Sequence, residues 1–321
     1  MTISEIYKKF DSKQKSVEYL AELRWPKGVI CPKCGSKNVV SLKKQIGRYH
    51  CNKCKTSFSV LTDTIFERSH LPLTKWFEII TLMLSAKRGI AAKQIKRDVR
   101  LTYKTAWYAC MRVRCGMIDF SNMELENIVE MDEAYIGGKP RHRYKPQPNE
   151  PNLSKITEKR GRGTKKTPIV GIVERKGEVV IKVIEKLTSR NLLTMLKENV
   201  KTDKAIVVTD EYASYKSFDD VVQHYTVDHS KKEYVKGIMH TNTIDGFWSI
   251  VKNSIRGNYI ALSKKYLPFY LVQAQYIYNT RNYEGDLFVR FLKEALVHDN
   301  PMENYKPIKP VKDIVYKKNA K

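Results

Sequence analysis

Two sets of side chains stand out for the chemistry their types and spacing allow. Cys31-Pro-Lys-Cys34 and Cys51-Asn-Lys-Cys54 repeat one spacing, with sixteen residues between the pairs. Each CxxC turn presents two sulfurs to one ion, and four thiolates suit tetrahedral Zn2+. The pairs therefore predict a zinc ribbon built around one structural Zn2+. All four ligand positions are taken by sulfur, so catalysis is not expected there. His50, beside Cys51, reads as a strand residue. The other two cysteines, Cys110 and Cys115, sit in a helical pattern and read as small buried hydrophobes.

The second set is acidic. Asp132 closes the run Ile128-Val-Glu-Met, and Asp210 closes Ala205-Ile-Val-Val-Thr. Taken singly, each also reads as a turn or cap residue. Taken together, they suggest two strands of one sheet delivering carboxylates to the same rim. Hard oxygen ligands of that kind suit Mg2+ or Mn2+, which bind through a few carboxylates plus substrate phosphates. Two such ions about 4 Å apart can activate a nucleophile and stabilise the leaving oxygen of a phosphodiester. A third carboxylate comes from the segment His240 to Lys252. On a helix, Asn242, Asp245 and Ser249 share a face, Lys252 lies two turns beyond Asp245, and Phe247 and Trp248 turn toward the sheet. The competing reading of this segment is a surface helix with Asp near its N-terminus for dipole reasons.

The elements that must position these groups follow from periodicity. Val17, Leu20, Leu23 and Trp25 mark an N-terminal helical region, followed by the strand-rich insert between the cysteine pairs. From Leu71 a helical period carries Trp76, Phe77, Ile80, Met83 and Leu84, and two further helices span about Ala91 to Val99 and Tyr103 to Gly116. The short turn at Arg100-Leu-Thr102 fits a helix-turn-helix, with Lys104, Arg112 and Arg114 placed to meet phosphates or bases; a helical connector with solvated charges is the alternative. From Asn127 the pattern becomes strands near 128–136, 168–173, 178–184, 205–209 and 221–227, with helices near 189–199, 243–255 and 265–281. This predicts a mixed α/β sheet flanked by helices. The expected divisions are 1–70, an N-terminal helix plus zinc ribbon, and 71–120, the helix-turn-helix-like segment. A catalytic α/β domain over 127–285 and a C-terminal helix with basic tail over 286–321 complete them.

Charge narrows the partner. The 321 residues hold 59 Lys plus Arg against 34 Asp plus Glu, a net charge of +25, which favours a polyanion. A long polar loop, 138–167, carries ten Lys or Arg against two Glu, among them Arg141, Arg143, Arg160 and Arg162. No apolar run reaches the roughly 18 residues of a spanning helix, no basic amphipathic helix has a broad apolar face, and the N-terminus lacks a secretory h-region. DNA is the expected partner, in a prokaryotic cytoplasm.

These residues resemble transposases of the IS1595 family, whose catalytic part is the ISXO2-like domain. The resemblance rests on the two cysteine pairs, Leu71-Pro-Leu-Thr-Lys-Trp76, Val129-Glu-Met-Asp-Glu-Ala-Tyr-Ile-Gly-Gly-Lys139, Val208-Thr-Asp-Glu-Tyr-Ala-Ser-Tyr215 and His240-Thr-Asn-Thr-Ile-Asp-Gly-Phe-Trp-Ser-Ile-Val-Lys252. It implies an RNase H-like fold and DDE-type cleavage and strand transfer of DNA. Terminal inverted repeats and target DNA would be the substrates, handled by a homodimer or larger assembly. Asp132, Asp210 and Asp245 match the three acidic positions that hold two Mg2+ (or Mn2+), and Lys252 matches the cation that follows. The third position is often Glu in the family and is Asp here, one methylene shorter. His240 and Asn242 belong to the same motif, where positioning of the helix or of DNA is expected. The alternative function is a catalytically inactive, transposase-derived DNA-binding protein.

Overall fold

The computed structural model describes residues 1–118, 123–137, 166–227 and 239–296, with two short stretches at 302–303 and 306–307. The basic-loop residues Arg141, Arg143, Arg160 and Arg162 lie outside the described residues. Two units are present: Met1–Phe120 together with the helices from Val272 onward, and Ser121–Leu271.

The first unit begins with α1 (Ile3–Lys9), held by a capping box between Thr2 and Glu5, and α2 (Lys13–Arg24), capped by Ser12. The ribbon follows as β1 (Val39–Ser41), β2 (Arg48–Cys51) and β3 (Ser57–Ser59), paired antiparallel in that order. Trp25, Tyr49 and Phe58 close one side of it, with ring centroids 5.5–6.0 Å apart. Next come α3 (Leu73–Ser85), α4 (Ala92–Asp98) and α5 (Tyr103–Gly116). Apolar residues all round α3, including Trp76, Phe77, Ile79, Ile80 and Met83, make it the buried centre of this unit.

The second unit is a five-stranded sheet: β4 (Leu125–Ile136), β5 (Thr167–Glu174), β6 (Val179–Val183), β7 (Val200–Asp210) and β8 (Gln223–Val227). Its order is β6-β5-β4-β7-β8. The first three strands form an antiparallel meander, whereas β7 runs parallel to β4 and β8 parallel to β7. The parallel pairing requires a crossover, supplied by α6 (Ser189–Asn199), which Thr188 caps. This is an RNase H-like mixed sheet.

Alternation along β4 sorts its side chains to two faces. Val129 and Met131 join Val170, Ile172 and Val207 in a core closed by Leu192, Met195 and Leu196 of α6 and by Tyr215 and Phe218 of a short 3-10 turn. Glu130 and Asp132 point to the opposite face, which is covered by α7 (Asn242–Ser254) through Ile244, Phe247 and Trp248. Helix α8 (Leu267–Asn279) follows, and α9 (Leu287–Ala295) packs in the first unit against α3 and α5. The C-terminal helix, expected from sequence as part of a separate piece over 286–321, is thus packed with elements of the first unit. Among the described residues, no helix is long and apolar enough to cross a membrane.

Candidate active site and zinc centre

Register brings the first two acidic residues together. The last parallel pair of β4 and β7 is Glu130 with Val208, so Asp132 and Asp210 each stand two residues further, side by side where pairing ends. Oxygens of Asp132, Glu133 and Asp210 lie within 4.8 Å of one another. Each carboxylate is tethered. Asp132 Oδ2 accepts from the Trp248 indole N–H at 2.9 Å, and Asp210 Oδ1 accepts from the Tyr212 amide at 3.1 Å. The buried Tyr215 hydroxyl donates to Glu133 Oε2 at 2.9 Å.

Burial pushes Asp132 up to about 7, and repulsion from Glu133, Asp210 and Asp245 adds to the shift. Burial, with Glu133 next in order, likewise holds the Tyr215 phenol well above its ordinary value, so it serves as a donor and stays neutral.

Asp245 stands outside this 4.8 Å cluster, although its charge is felt at Asp132. It lies in the first turn of α7, on an exposed face shared with Asn242, Ser249 and Lys252, opposite the buried Ile244, Phe247, Trp248 and Val251. Trp248 reaches Asp132 because strand β5 offers no side chain there. Gly171, the register partner of Asp132, would place a Cβ 2.7 Å from Trp248 Cζ2 and 3.0 Å from Ile244 Cδ1.

Behind these groups is a network absent from the sequence reading. Glu130, with 0% exposure, accepts at Oε1 from Arg175 Nε (2.6 Å) and the Thr243 hydroxyl (2.9 Å). Its Oε2 accepts from the amides of Thr243 (2.8 Å) and Ile244 (3.0 Å). Arg175 Nη2 donates to the His240 carbonyl at 2.8 Å. His240 Nδ1 lies 3.3 Å from the Asn242 amide and 3.4 Å from Glu130 Oε1; neutral it accepts from the first, and protonated it donates to the second. A signal was available, since Glu130 interrupts an apolar strand on the same face as Asp132.

In the first unit the four cysteines converge. Their sulfurs lie within 4.8 Å of one another, with Cys31 and Cys54 3.7 Å apart and Cys34 and Cys51 3.6 Å apart. A regular ZnS4 tetrahedron with bonds of 2.3 Å has edges of about 3.8 Å, so the cluster fits zinc. The Thr56 hydroxyl and amide hold Cys54 down to about 6, and backbone amides of Cys54 and Lys53 lower Cys51, both favouring the thiolates that zinc requires. His50 is a strand residue bonded to Ser57 and is no part of the cluster.

The helix-turn-helix expectation needs correction at two residues. Lys104 is exposed at the start of α5. Arg112 and Arg114 are 3% and 1% exposed, so neither offers its guanidinium to a groove. Arg112 Nη2 donates to the Glu67 carbonyl at 2.7 Å and its guanidinium lies over Trp76 and Tyr108, while Arg114 Nε donates to Gln273 Oε1 at 2.8 Å. The physical cause is that α3 and α9 pack on α5, burying Cys110, Met111, Val113 and Cys115 around the two arginines.

Comparison with known proteins agrees with this anatomy. Residues 12–57 match the transposase zinc-ribbon domain, and residues 124–279 match the ISXO2-like transposase domain. A Halobacterium salinarum protein described as "Uncharacterized protein in transposable element ISH50" is 29% identical over 255 residues, covering 76% of this chain and 84% of that one. Two solved structures have weaker likeness. The Mos1 strand transfer complex gives 10% identity and a TM-score of 0.28 over 68% of this chain and 74% of that one. The pre-cleavage Mos1 transpososome gives 10% and 0.23 over 68% and 75%. Backbone agreement at that level carries no argument, whereas the two domain matches, in order and with their cysteine and carboxylate clusters assembled, do. The chain has the domain architecture of IS1595-family DDE-type transposases, a zinc ribbon followed by the ISXO2-like domain.

Proposed function

We propose that the protein binds the terminal inverted repeats of a mobile element and cleaves and joins DNA at them. In this reading Asp132, Asp210 and Asp245 hold two Mg2+ or Mn2+ ions, with Glu133 beside them. The observation that carries it is the parallel register that gathers Asp132, Glu133 and Asp210 within 4.8 Å at the rim where β4 runs past its last pair with β7. An all-oxygen donor set with a carboxyl raised to about 7 by burial and crowding fits a hard divalent cation, which relieves that repulsion. Bound there, such ions supply charge neutralisation at a phosphodiester and a lowered pKa for water.

The chain's own groups do the orienting. The Trp248 indole N–H donates to Asp132 Oδ2 and the Tyr212 amide to Asp210 Oδ1, which fixes how each carboxylate is turned. Tyr215 stays protonated, so a covalent phosphotyrosine route is disfavoured and joining would proceed by direct attack of a freed 3′-OH. Lys252, two turns from Asp245 on the exposed face, grips a backbone phosphate; Lys104, Asn242 and the arginines of the basic loop extend that grip. His240 serves from behind, through the backbone ahead of α7. The assembly on paired ends is a dimer or larger, acting in a prokaryotic cytoplasm.

Asp245→Asn tests the residue that the cluster leaves furthest out. Cleavage of labelled DNA bearing the element's own inverted repeats should fall by about 100-fold or more, with mobility-shift affinity unchanged. Wild-type cleavage would remove Asp245 from the site.

A further inference from the structure

Helix α7 has no side-chain N-cap of its own: Thr241 occupies the position and makes no capping bond. The exposed first-turn donors that a helix leaves unpaired must find partners elsewhere. They find them in the buried carboxylate of Glu130, which takes the Thr243 and Ile244 amides on one oxygen and the Thr243 hydroxyl and Arg175 on the other. Thr243 and Ile244 immediately precede Asp245. Three residues beyond it, Trp248 is tied to Asp132. The third carboxylate therefore sits between two anchors, both on β4 and two residues apart.

We propose that Glu130 is a positioning residue of the reaction, setting the register of α7 on the sheet so that Asp245 meets Asp132 and Asp210. The proposal rests on the reading that Asp245 belongs to the site. Packing of Ile244, Phe247 and Trp248 is non-directional and tolerates sliding, whereas two amides on one carboxylate oxygen and a hydroxyl on the other do not. A slip of one residue moves Asp245 by about 1.5 Å along the axis and about 100° around it, since the helix has 3.6 residues per turn. A buried carboxylate is costly unless fully paired, and an apolar side chain would fill the same space without that demand. What the charge adds is direction. Arg175 completes the device by neutralising Glu130 and holding the His240 carbonyl, which fixes the chain entering the helix.

The test uses Glu130→Gln in the full-length protein. In the absence of metal, amide hydrogen exchange at Thr243, Ile244 and Asp245 should quicken by about ten-fold or more, with α6 and β8 unchanged. On element-end DNA, kcat should fall by about thirty-fold and KM by less than about two-fold. Unchanged exchange at those amides, or faster exchange with wild-type kcat, overturns the proposal. If Glu130→Gln does not fold by circular dichroism, Thr243→Val keeps the Glu130–Arg175 pair and removes one donor. It should give the same pattern at about a three- to ten-fold scale, and wild-type exchange and kcat there overturn the proposal equally. Asp245→Asn, run alongside, separates the two levels. An inactive Asp245→Asn beside a fully active Glu130→Gln defeats the clamp alone, whereas an active Asp245→Asn defeats the reading beneath it.

Discussion

The zinc ribbon and the acidic site are both ligand clusters, and they are built in opposite ways. Each cysteine pair comes from one tight turn, and the two turns share a backbone form. The residue after the second cysteine is left-handed in both, Gly35 at φ 69° and Lys55 at φ 55°. The Thr56 hydroxyl, with its amide, lowers Cys54 toward the thiolate, and the backbone amides of Cys54 and Lys53 lower Cys51. The acidic site is assembled by sheet register from β4 and β7 with α7 docked over it, and burial, with repulsion from acidic neighbours added, raises Asp132 to about 7. The first cluster ties together the two knuckles of the ribbon; the second places a carboxyl whose ionisation burial opposes at the rim of the sheet.

The sharpest way to break that contrast is to remove each ligand set in turn. Replacing Cys31 and Cys34 by Ser should take bound zinc from one to zero per chain. The ribbon should then unfold, because structural zinc contributes about 10–16 kcal/mol in comparable small modules. Mn2+ binding at the acidic site, followed by calorimetry, should persist. Loss of both sites together would mean that the two clusters are not independent.

Asp132→Asn should do the reverse, abolishing cleavage by about 1,000-fold or more while stabilising the metal-free protein. With its folded pKa near 7 against an ordinary 3.8, the folded state binds more protons between those values. Stability tied to the protonated carboxyl is therefore complete below about pH 4 and lost as pH rises through about 7. The variant and wild type should melt alike at pH 4. At pH 8 without divalent metal the variant should be ahead by about 2–4 kcal/mol, at 1.36 kcal/mol per unit. Added Mg2+ should narrow the difference, and equal melting at pH 8 would deny that Asp132 is strained in the fold.

Local chemistry is also what made one site readable from sequence and the other only partly so. Ligands that are close in the chain advertise themselves by spacing, as the two CxxC pairs do. Asp132 and Asp210 were visible as carboxylates ending apolar strands, and Asp245 as a carboxylate on a polar helix face. Glu130 was hidden because its partners Arg175 and Thr243 lie 45 and 113 residues away, and only sheet pairing brings them near. Glu133 lies outside the sequence pattern because alternation sends it to the other face from Asp132; only where β4 runs past its last pair with β7 do both reach one rim. The arginines of α5 were misread for a related reason. A charge on a helix suggests solvent, yet Cys110, Met111, Val113 and Cys115 leave this stretch no polar face, and carbonyl, amide and aromatic partners replace water.

Gly171→Ala probes how tightly the acidic site depends on helix docking. The new methyl would meet Trp248 at 2.7 and 2.9 Å, too close for an indole pinned between strand and helix. Overpacking of this sort costs about 1–3 kcal/mol. The helix must lift or Trp248 must release Asp132, so cleavage should fall by about ten-fold with the melting temperature only modestly reduced. A variant that loses stability and keeps full cleavage would separate α7 docking from catalysis.

The smallest effect belongs to the ribbon's turn. At Gly35 nothing lies within 4 Å of a built Cβ, so Gly35→Ala meets no clash and isolates the backbone cost of a left-handed residue. That cost is about 1–2 kcal/mol for an L side chain. Lys55 already bears it in the second knuckle, where the ribbon still closes. The variant should therefore retain one zinc per chain and bind it about 5- to 30-fold more weakly in competition with a chelating dye, as 1.4 kcal/mol is ten-fold. Unchanged zinc affinity would mean that the knuckle relaxes out of its left-handed form, and the matched backbone of the two turns would then be incidental to holding the ion.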